Sequence, residues 1–216
     1  MKTALIAGAS GLVGSELLKL LIDNDAYETI HLISRNPLQI QSSKIIEHII
    51  NFDELDKFEL DQKIDHVFCT LGTTIKKAKT KENFRKVDFD YVLALGKKAK
   101  EWNAEKFLMV SSLGANAKSA IFYNLVKGEI ENALQKLELI HLFIFRPSLL
   151  LGNREEQRTG EKTAINVYKV IAPLFFGPFK KYKGIEARQV AKGMMITALQ
   201  NETSFKTFES DEIQKL

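Results

Sequence analysis

The feature that most constrains the fold is an apolar strand that leads directly into three evenly spaced glycines. Residues 5–7 are apolar, Gly8, Gly11 and Gly14 follow, and apolar residues then recur at helical spacing over residues 12–22. A strand that turns through glycines into a helix directs free backbone N–H groups and the positive end of the helix to one point. The pattern therefore favours the pyrophosphate site of a bound dinucleotide over an ordinary strand–helix turn.

The length and composition fit one globular domain. The chain has 216 residues, of which 45% are hydrophobic and 27% charged, with a net charge of +4. Lysines cluster at residues 76–81 and 180–183, but neither run is as dense as an arm that binds nucleic acid, so a solvated surface is the simpler interpretation. We therefore expect no nucleic-acid partner.

Cysteine and hydropathy patterns limit the class of protein further. The single cysteine, Cys69, excludes an intramolecular disulfide and offers no metal-ligand spacing, and the four histidines are interpreted as structural, so no metal is expected. No signal-peptide pattern and no run of 18 apolar residues is present, which predicts a cytoplasmic protein without a membrane span.

Strands and helices alternate along the first two thirds of the chain. The strands are apolar throughout, which is typical of a parallel sheet covered by helices on both faces. The sequence thus predicts an α/β protein with a Rossmann-type, doubly wound parallel sheet. After the first strand the predicted strands are residues 29–34, 45–50, 66–71, 106–111 and 139–145, and the predicted helices are 53–58, 80–102 and 121–137.

This regular alternation ends at Pro147. The later elements are too few for an independent domain, so residues 147–216 are expected to form a small C-terminal α/β cap on the substrate side of a single domain, 1–216. The elements predicted there are helices at 161–176 and 186–199, a short strand at 205–208 and a helical turn at 211–215.

The residues after the second predicted strand indicate which dinucleotide binds. NAD enzymes usually carry Asp or Glu there for the ribose 2′-hydroxyl, whereas an arginine accommodates the 2′-phosphate of NADP. Ser34, Arg35 and Asn36 stand at this point, and none of them is acidic. A guanidinium matches phosphate geometry, so the sequence favours NADP(H) over the alternative of an unengaged surface arginine.

A second constellation is typical of carbonyl reduction. Tyr123 and Lys127 lie four residues apart on a predicted helix, so both side chains lie on one face. A lysine cation beside a phenol, with a positive nicotinamide ring nearby, favours the phenolate and makes proton transfer accessible at neutral pH. Ser111 and Ser112 end the fifth strand, where a hydroxyl can hydrogen-bond a substrate carbonyl.

Five motifs in order resemble one known family over nearly the whole chain. They are GASGLVG at 8–14, LGTT at 71–74, SSLGA at 111–115, YNLVK at 123–127 and FRPSLLLGNREEQRTGE at 145–161. They are similar to the short-chain dehydrogenase/reductase superfamily and, more narrowly, to its atypical branch, the Tat-interacting protein oxidoreductase family and its small bacterial relatives.

The resemblance implies an NADPH-binding Rossmann fold with a small cap. Tyr123 would be the catalytic base with Lys127 as its partner, and Ser111 or Ser112 would orient the substrate. The cofactor-binding residues that it implies are Gly8, Ser10, Gly11, Leu12, Val13 and Gly14, then Ser34, Arg35, Asn51, Leu71, Gly72 and Thr73, then Tyr123, Lys127, Pro147, Leu150 and Arg158.

Two positions depart from the family pattern. Asn51 stands where relatives tend to carry an aspartate beside the adenine, although an amide can also hydrogen-bond that base. The interval between serine and tyrosine is short, so Ser111 and Ser112 both remain candidates for the working hydroxyl, and Ser112, further from the strand, is favoured.

These patterns predict an NADPH-dependent oxidoreductase that transfers hydride between NADP(H) and a small carbonyl or alcohol substrate. The alternative is an NADPH-binding regulatory or assembly protein without turnover, resembling the NmrA-like sensors, because fold alone does not specify chemistry. A nucleotide-sugar epimerase or dehydratase ranks last, since the predicted cap is small. The helices at 80–102 and 121–137 are candidates for a homodimer interface.

Overall fold

The computed structural model describes residues 1–152, 183–201 and 205–216. The strands are β1 Lys2–Ala7, β2 Tyr27–Ser34, β3 Ile45–Ile49, β4 His66–Cys69, β5 Lys106–Val110, β6 Leu142–Arg146, β7 Leu150–Leu151, β8 Ile185–Glu186 and β9 Phe205–Glu209. The helices are α1 Leu12–Ile22, α2 Ile75–Ala78, α3 Lys81–Arg85, α4 Tyr91–Glu101, α5 Phe122–Gln135, α6 Ala187–Leu199 and α7 Ser210–Ile213, with a 3₁₀ helix at Phe52–Lys57.

Seven of these strands form one parallel sheet in the order β3-β2-β1-β4-β5-β6-β9, and β7 pairs with β8 separately. The order reverses between β1 and β4, and ligands of such sheets bind outside the carboxyl ends of the strands at that reversal. The predicted Rossmann fold is therefore confirmed. The largest change at a strand end is in β6, which begins at Leu142 rather than at residue 139.

The sheet is buried on both faces, which explains why its strands are apolar throughout. Successive side chains of a strand point to opposite faces. In β1, Ala4 and Ile6 pack into the cluster on the side of α1 and α6, whereas Leu5 and Ala7 pack into the cluster on the side of α4 and α5. The two helical layers thus cover both faces of the sheet.

The predicted helix at 80–102 is interrupted. It consists of α3, a π-helical turn at Lys86–Asp90 and α4, with Trp102 as the residue that ends it. A π turn inserts one residue into the helical ladder and is frequent at functional sites. Here the turn contains Asp88, whose side chain is fully buried.

The C-terminal elements extend the main body. Helix α6 packs on α1, β9 is the seventh strand of the sheet, and Phe208 of β9 stacks on Phe145 at a centroid distance of 4.9 Å. These elements were expected to cover the carboxyl edge of the sheet as part of the cap. They instead complete the sheet and its helical layer, because they carry buried apolar side chains such as Val190 and Met194. The predicted helix at 161–176 and Arg158 lie outside the described residues.

Candidate active site

The glycine turn brings α1 into direct contact with β1 and with the loop after β4. Gly8 has φ of +96°, a conformation that favours glycine. A Cβ on Gly14 would lie 2.2 Å from the carbonyl oxygen of Gly8, and a Cβ on Gly8 would lie 2.7 Å from the carbonyl carbon of Thr70. Glycine at both positions is therefore required for the start of α1 to lie at the centre of the carboxyl edge.

Among the residues that the structure describes, no side chain caps the first turn of α1. Gly11 precedes the helix without a side-chain cap, and the first turn contains no acidic residue. Ser10 is exposed, Leu12 is half-buried and Val13 is buried. Backbone N–H groups at a helix start need an acceptor, and a phosphate is a suitable one. The predicted pyrophosphate residues thus fit a dinucleotide.

The end of β2 presents a single exposed cation. The Ser34 hydroxyl donates to the carbonyl of Asn36 at 2.8 Å, which holds the turn, and Arg35 is exposed. No hydrogen bond or ion pair joins Arg35 to another residue of the described ranges. Glu47 of β3 accepts from the Leu38 N–H at 2.8 Å and from the Ser34 hydroxyl at 3.3 Å. An unpaired guanidinium at this place suits a 2′-phosphate.

The loops after β3 and β4 also end at the carboxyl edge. The Asn51 side-chain oxygen accepts the Asp53 N–H at 3.1 Å and begins the 3₁₀ helix, which leaves its amide nitrogen for another partner. Leu71 is half-buried and Gly72 is exposed. The Thr73 N–H donates at 2.8 Å to the carboxylate of Asp88, so the loop after β4 is attached to the π turn.

Lys127 forms a buried ion pair at the same edge. Its Nζ lies 2.7 Å from Oδ1 of Asp88, and both side chains are almost completely buried. Burial lowers the pKa of Lys127, but the charge of Asp88, with smaller contributions from Tyr123 and Cys69, more than offsets this, so the pKa is raised above its ordinary value. Lys127 is therefore a cation held in the protein interior.

Tyr123 lies one helical turn before Lys127, and its phenol is close enough to act on the pKa of that lysine. The half-buried ring packs on Phe84 at a centroid distance of 5.4 Å. Helix α5 is pressed against the loop that follows β5, because a Cβ on Gly128 would lie 2.1 Å from the backbone nitrogen of Ala117. Tyrosine, lysine and the loop of the two serines thus belong to one packed unit.

The two serines have different environments. Ser111 is buried and donates its hydroxyl to Glu131 of α5, which also pairs with Arg146 of β6. The Ser112 hydroxyl oxygen is buried and has no hydrogen-bond partner within the described residues. A buried hydroxyl without a partner is costly and suggests that a ligand group pairs with it. Ser112 is therefore the better placed of the two for a substrate.

The chain after β6 returns to the start of α1. Pro147 is buried and its carbonyl accepts the Leu113 N–H at 2.9 Å. Leu150 is half-buried in β7, and a Cβ on Gly152 would lie 3.0 Å from the Leu12 side chain. Pro147 and Leu150 thus belong to the segment that passes the glycine turn.

Sequence reasoning missed three charged residues. Asp88 lies on the apolar stripe that runs from Phe84 through Val92, and Glu131 lies on the buried stripe of α5 beside Ile130. A carboxylate at a position where the helical period demands an apolar side chain is the signal that marks both. Arg146, the partner of Glu131, is the last residue of the apolar strand β6 and carries no comparable signal.

A family model described as HIM1 matches residues 32–177. The chain belongs to the HIM1 family. It is 37% identical over 164 residues to protein HTATIP2 of Rattus norvegicus, and the aligned region covers 74% of this chain and 67% of the relative. It is 31% identical over 219 residues to the mitochondrial protein FMP52 of Eremothecium gossypii, and the aligned region covers 99% of this chain and 96% of the relative. The resemblance to the Tat-interacting protein family is confirmed.

Solved structures confirm the fold. The UDP-glucose 4-epimerase of Thermotoga maritima, solved with UDP-glucose, has a TM-score of 0.70 at 13% identity and covers 99% of this chain and 80% of the epimerase. The human epimerase family protein SDR39U1, solved with NADPH, has a TM-score of 0.65 at 15% identity and covers 96% of this chain and 74% of that protein. At such identities the likeness extends to the Rossmann fold alone.

The expectation of a cytoplasmic location is wrong. Relatives of this chain from Debaryomyces hansenii, Eremothecium gossypii and Candida albicans are named as mitochondrial proteins. Composition does not distinguish these two compartments, which is why the sequence alone misled. Within the described ranges, no helix combines the length and the apolar character needed to cross a membrane.

Proposed function

We propose that this chain is an NADP(H)-dependent oxidoreductase that reduces a small carbonyl compound, or oxidises the matching alcohol. The observation that carries the proposal is the packing of Tyr123 beside the buried Lys127 at the edge of the sheet where the glycine turn begins. In a fold of this kind, that edge is the place for a dinucleotide.

Binding of the cofactor is assigned to the carboxyl edge. The first turn of α1, approached through Gly11, takes the pyrophosphate, and Arg35 pairs with the 2′-phosphate. Asn51 hydrogen-bonds the adenine through its free amide nitrogen, while Leu71, Gly72 and the loop after β4 lie along the adenosine ribose. Of the remaining predicted residues, Pro147, Leu150 and Arg158 are assigned to the segment that closes over the cofactor.

NADPH, held by the residues named above, would supply a hydride for the carbonyl carbon of the substrate. The Ser112 hydroxyl donates a hydrogen bond to the carbonyl oxygen and so fixes its position. As the C=O double bond opens, the Tyr123 hydroxyl gives its proton to that oxygen, and solvent later restores the proton. Lys127 stabilises the phenolate that Tyr123 becomes, because a cation beside it lowers the free energy of the anion.

The proposal is tested by oxidation of NADPH against a panel of aldehydes, ketones and quinones. Turnover is expected for wild type, and Tyr123→Phe should lower kcat by about 10²- to 10⁴-fold with little change in NADPH affinity. Tyr91→Phe is the matched control, since the Tyr91 hydroxyl donates to Asp53 at 2.7 Å and has no assigned part in the proton transfer. That variant should keep the wild-type rate.

Equal turnover by Tyr123→Phe would remove Tyr123 from the chemistry. Tight binding of NADPH without turnover on any carbonyl compound would contradict the reductase. That result would favour the second function considered from the sequence, a cofactor-binding regulatory or assembly protein.

A further inference from the structure

Asp88 connects three parts of the candidate active site. It belongs to the π turn, its carboxylate accepts the Thr73 N–H of the loop after β4 at 2.8 Å, and it pairs with Lys127 of α5 at 2.7 Å. The side chain has no solvent exposure. A carboxylate is rarely buried to this extent unless its charge is compensated, and here Lys127 compensates it.

Lys127 in turn depends on Asp88 for compensation of its charge. An ammonium group buried without a counter-charge is costly and prefers to lose its proton. Within the described residues, the groups that act on Lys127 are Asp88 from the π turn, Tyr123 from its own helix and Cys69 from β4. Burial raises the pKa of the Cys69 thiol to about 12, so this group is uncharged at neutral pH. Asp88 is therefore the counter-ion of Lys127.

We propose that Asp88 is a positioning residue that acts through Lys127: its buried carboxylate holds the lysine charged beside Tyr123 and fixes the loop after β4 next to it. The inference rests on the role proposed above for Lys127 and adds a residue that touches neither substrate nor cofactor. The close approach of the three parts supports it, since a Cβ on Gly72 would lie 3.4 Å from the Asp88 carboxylate and 3.7 Å from Lys127 Nζ.

Helical spacing explains how a carboxylate reaches this place. Buried side chains follow along α3 and α4 at intervals of four, from Phe84 through Asp88 to Val92. This spacing puts Asp88 on the interior face, where it meets Lys127 and where an amphipathic helix would ordinarily place an apolar side chain. One position of the core is thus occupied by the charged side chain of Asp88, as expected if this charge has a role in the candidate active site.

The substitution Asp88→Asn removes the charge of the side chain and keeps its shape. In Asp88→Asn the amide oxygen still accepts the Thr73 N–H, but the counter-charge of Lys127 is lost. We expect Lys127 to titrate at least one pH unit lower in this variant than in wild type, followed through its Cε and Nζ resonances by NMR. Because charged Lys127 is needed, the pH at which NADPH affinity and kcat begin to fall should also be at least one unit lower in the variant than in wild type.

Asp65→Asn is the matched control. Asp65 is also buried, accepts a backbone N–H from Thr3 at 2.8 Å and pairs with Lys63 at 3.3 Å, but it precedes β4 at the opposite edge of the sheet. Both variants should lose stability. Only Asp88→Asn should change the titration of Lys127 and the pH profile of NADPH binding.

An unchanged titration of Lys127 in Asp88→Asn, or the same change in Asp65→Asn, would overturn the inference. If Asp88→Asn does not fold, the wild-type titration decides: Lys127 must lose its proton at a higher pH than an ordinary lysine, and a loss at a lower pH would contradict the assignment. Failure of the reductase proposal is separate: a lowered Lys127 titration in a protein that turns over no carbonyl supports the role of Asp88 and rejects the chemistry.

Discussion

Ser111 donates its hydroxyl to the carboxylate of Glu131, while the adjacent Ser112 has a buried hydroxyl with no partner in the described part of the chain. Glu131 also pairs with Arg146, which in turn pairs with Glu209 of β9. The hydrogen bond to Glu131 raises the pKa of Arg146, as does the pair with Glu209, although burial opposes them. This network ties β5, α5, β6 and β9 together and assigns the two serines to different tasks.

Exchange of the two serines for alanine should separate these tasks. Ser112→Ala removes an unpaired hydroxyl, so the free energy of unfolding should stay level or rise, while kcat should fall about 10²-fold through loss of a hydrogen bond to the reacting oxygen. Ser111→Ala removes a partner of Glu131 and should lower the free energy of unfolding by about 1 kcal/mol. Urea unfolding and steady-state kinetics check both, and the reverse assignment would require Ser111→Ala to lose more turnover than Ser112→Ala.

Gly14→Ala should damage both folding and cofactor binding. The new methyl group would lie 2.2 Å from the Gly8 carbonyl oxygen, so α1 must move away from β1. We expect a loss of about 1–3 kcal/mol in unfolding free energy and weaker NADPH binding. Gly193→Ala is the control: the nearest atom there is the tip of the Leu216 side chain at 3.2 Å, and alanine favours the helix. A neutral Gly14→Ala would contradict the close packing.

Arg35→Ala should change the choice of cofactor without affecting folding. Loss of a charge-assisted pair with phosphate should weaken NADPH binding about 10- to 100-fold and leave NADH binding unchanged. The melting temperature should remain at the wild-type value, because Arg35 is exposed and has no partner in the described ranges. Arg188→Ala removes another exposed arginine, and calorimetry should find its NADPH affinity unaltered. Equal losses for NADPH and NADH would reject the 2′-phosphate contact.

His66 makes stability depend on pH in the acidic range. Burial lowers its pKa from 6.5 to about 4, and its Nδ1 lies 2.8 Å from the Tyr27 hydroxyl. The unfolded chain therefore binds a proton between these values that the folded chain does not, so stability present above pH 6.5 is lost as the pH falls toward 4. The loss should amount to about 3 kcal/mol. In His66→Gln the unfolding free energy should change less over this range, and an identical slope would exclude His66.

The sequence predicted the sheet well because its signals are local. An apolar strand such as β1 and the helix that follows it are recognisable from period and glycine spacing alone. The start of β6 at Leu142 and the break of the helix at residues 86–90 depend on packing between elements. The position of β9 beside β6 likewise depends on tertiary contacts, such as the stacking of Phe208 on Phe145.

The candidate site was predicted only as far as its residue types allowed. Tyr123 and Lys127 have a recognisable spacing, but the counter-ion Asp88 lies 39 residues before Lys127, and no local pattern joins them. The choice between Ser111 and Ser112 depended on Glu131, which folding brings to one of the two hydroxyls. The hydrophobic period of the sequence thus predicts the strands and helices, whereas contacts between separate elements determine which polar groups remain without a partner.

The proposed reaction is hydride transfer from NADPH to a carbonyl carbon with Tyr123 as proton donor. The most direct measurement uses NADPH that carries deuterium on the transferred C4 position, incubated with the carbonyl panel and analysed by mass spectrometry. We expect wild type to form an alcohol with one deuterium on the former carbonyl carbon, and Tyr123→Phe to lose this product. Deuterium that stays wholly on tightly bound cofactor, across the whole panel, would contradict it.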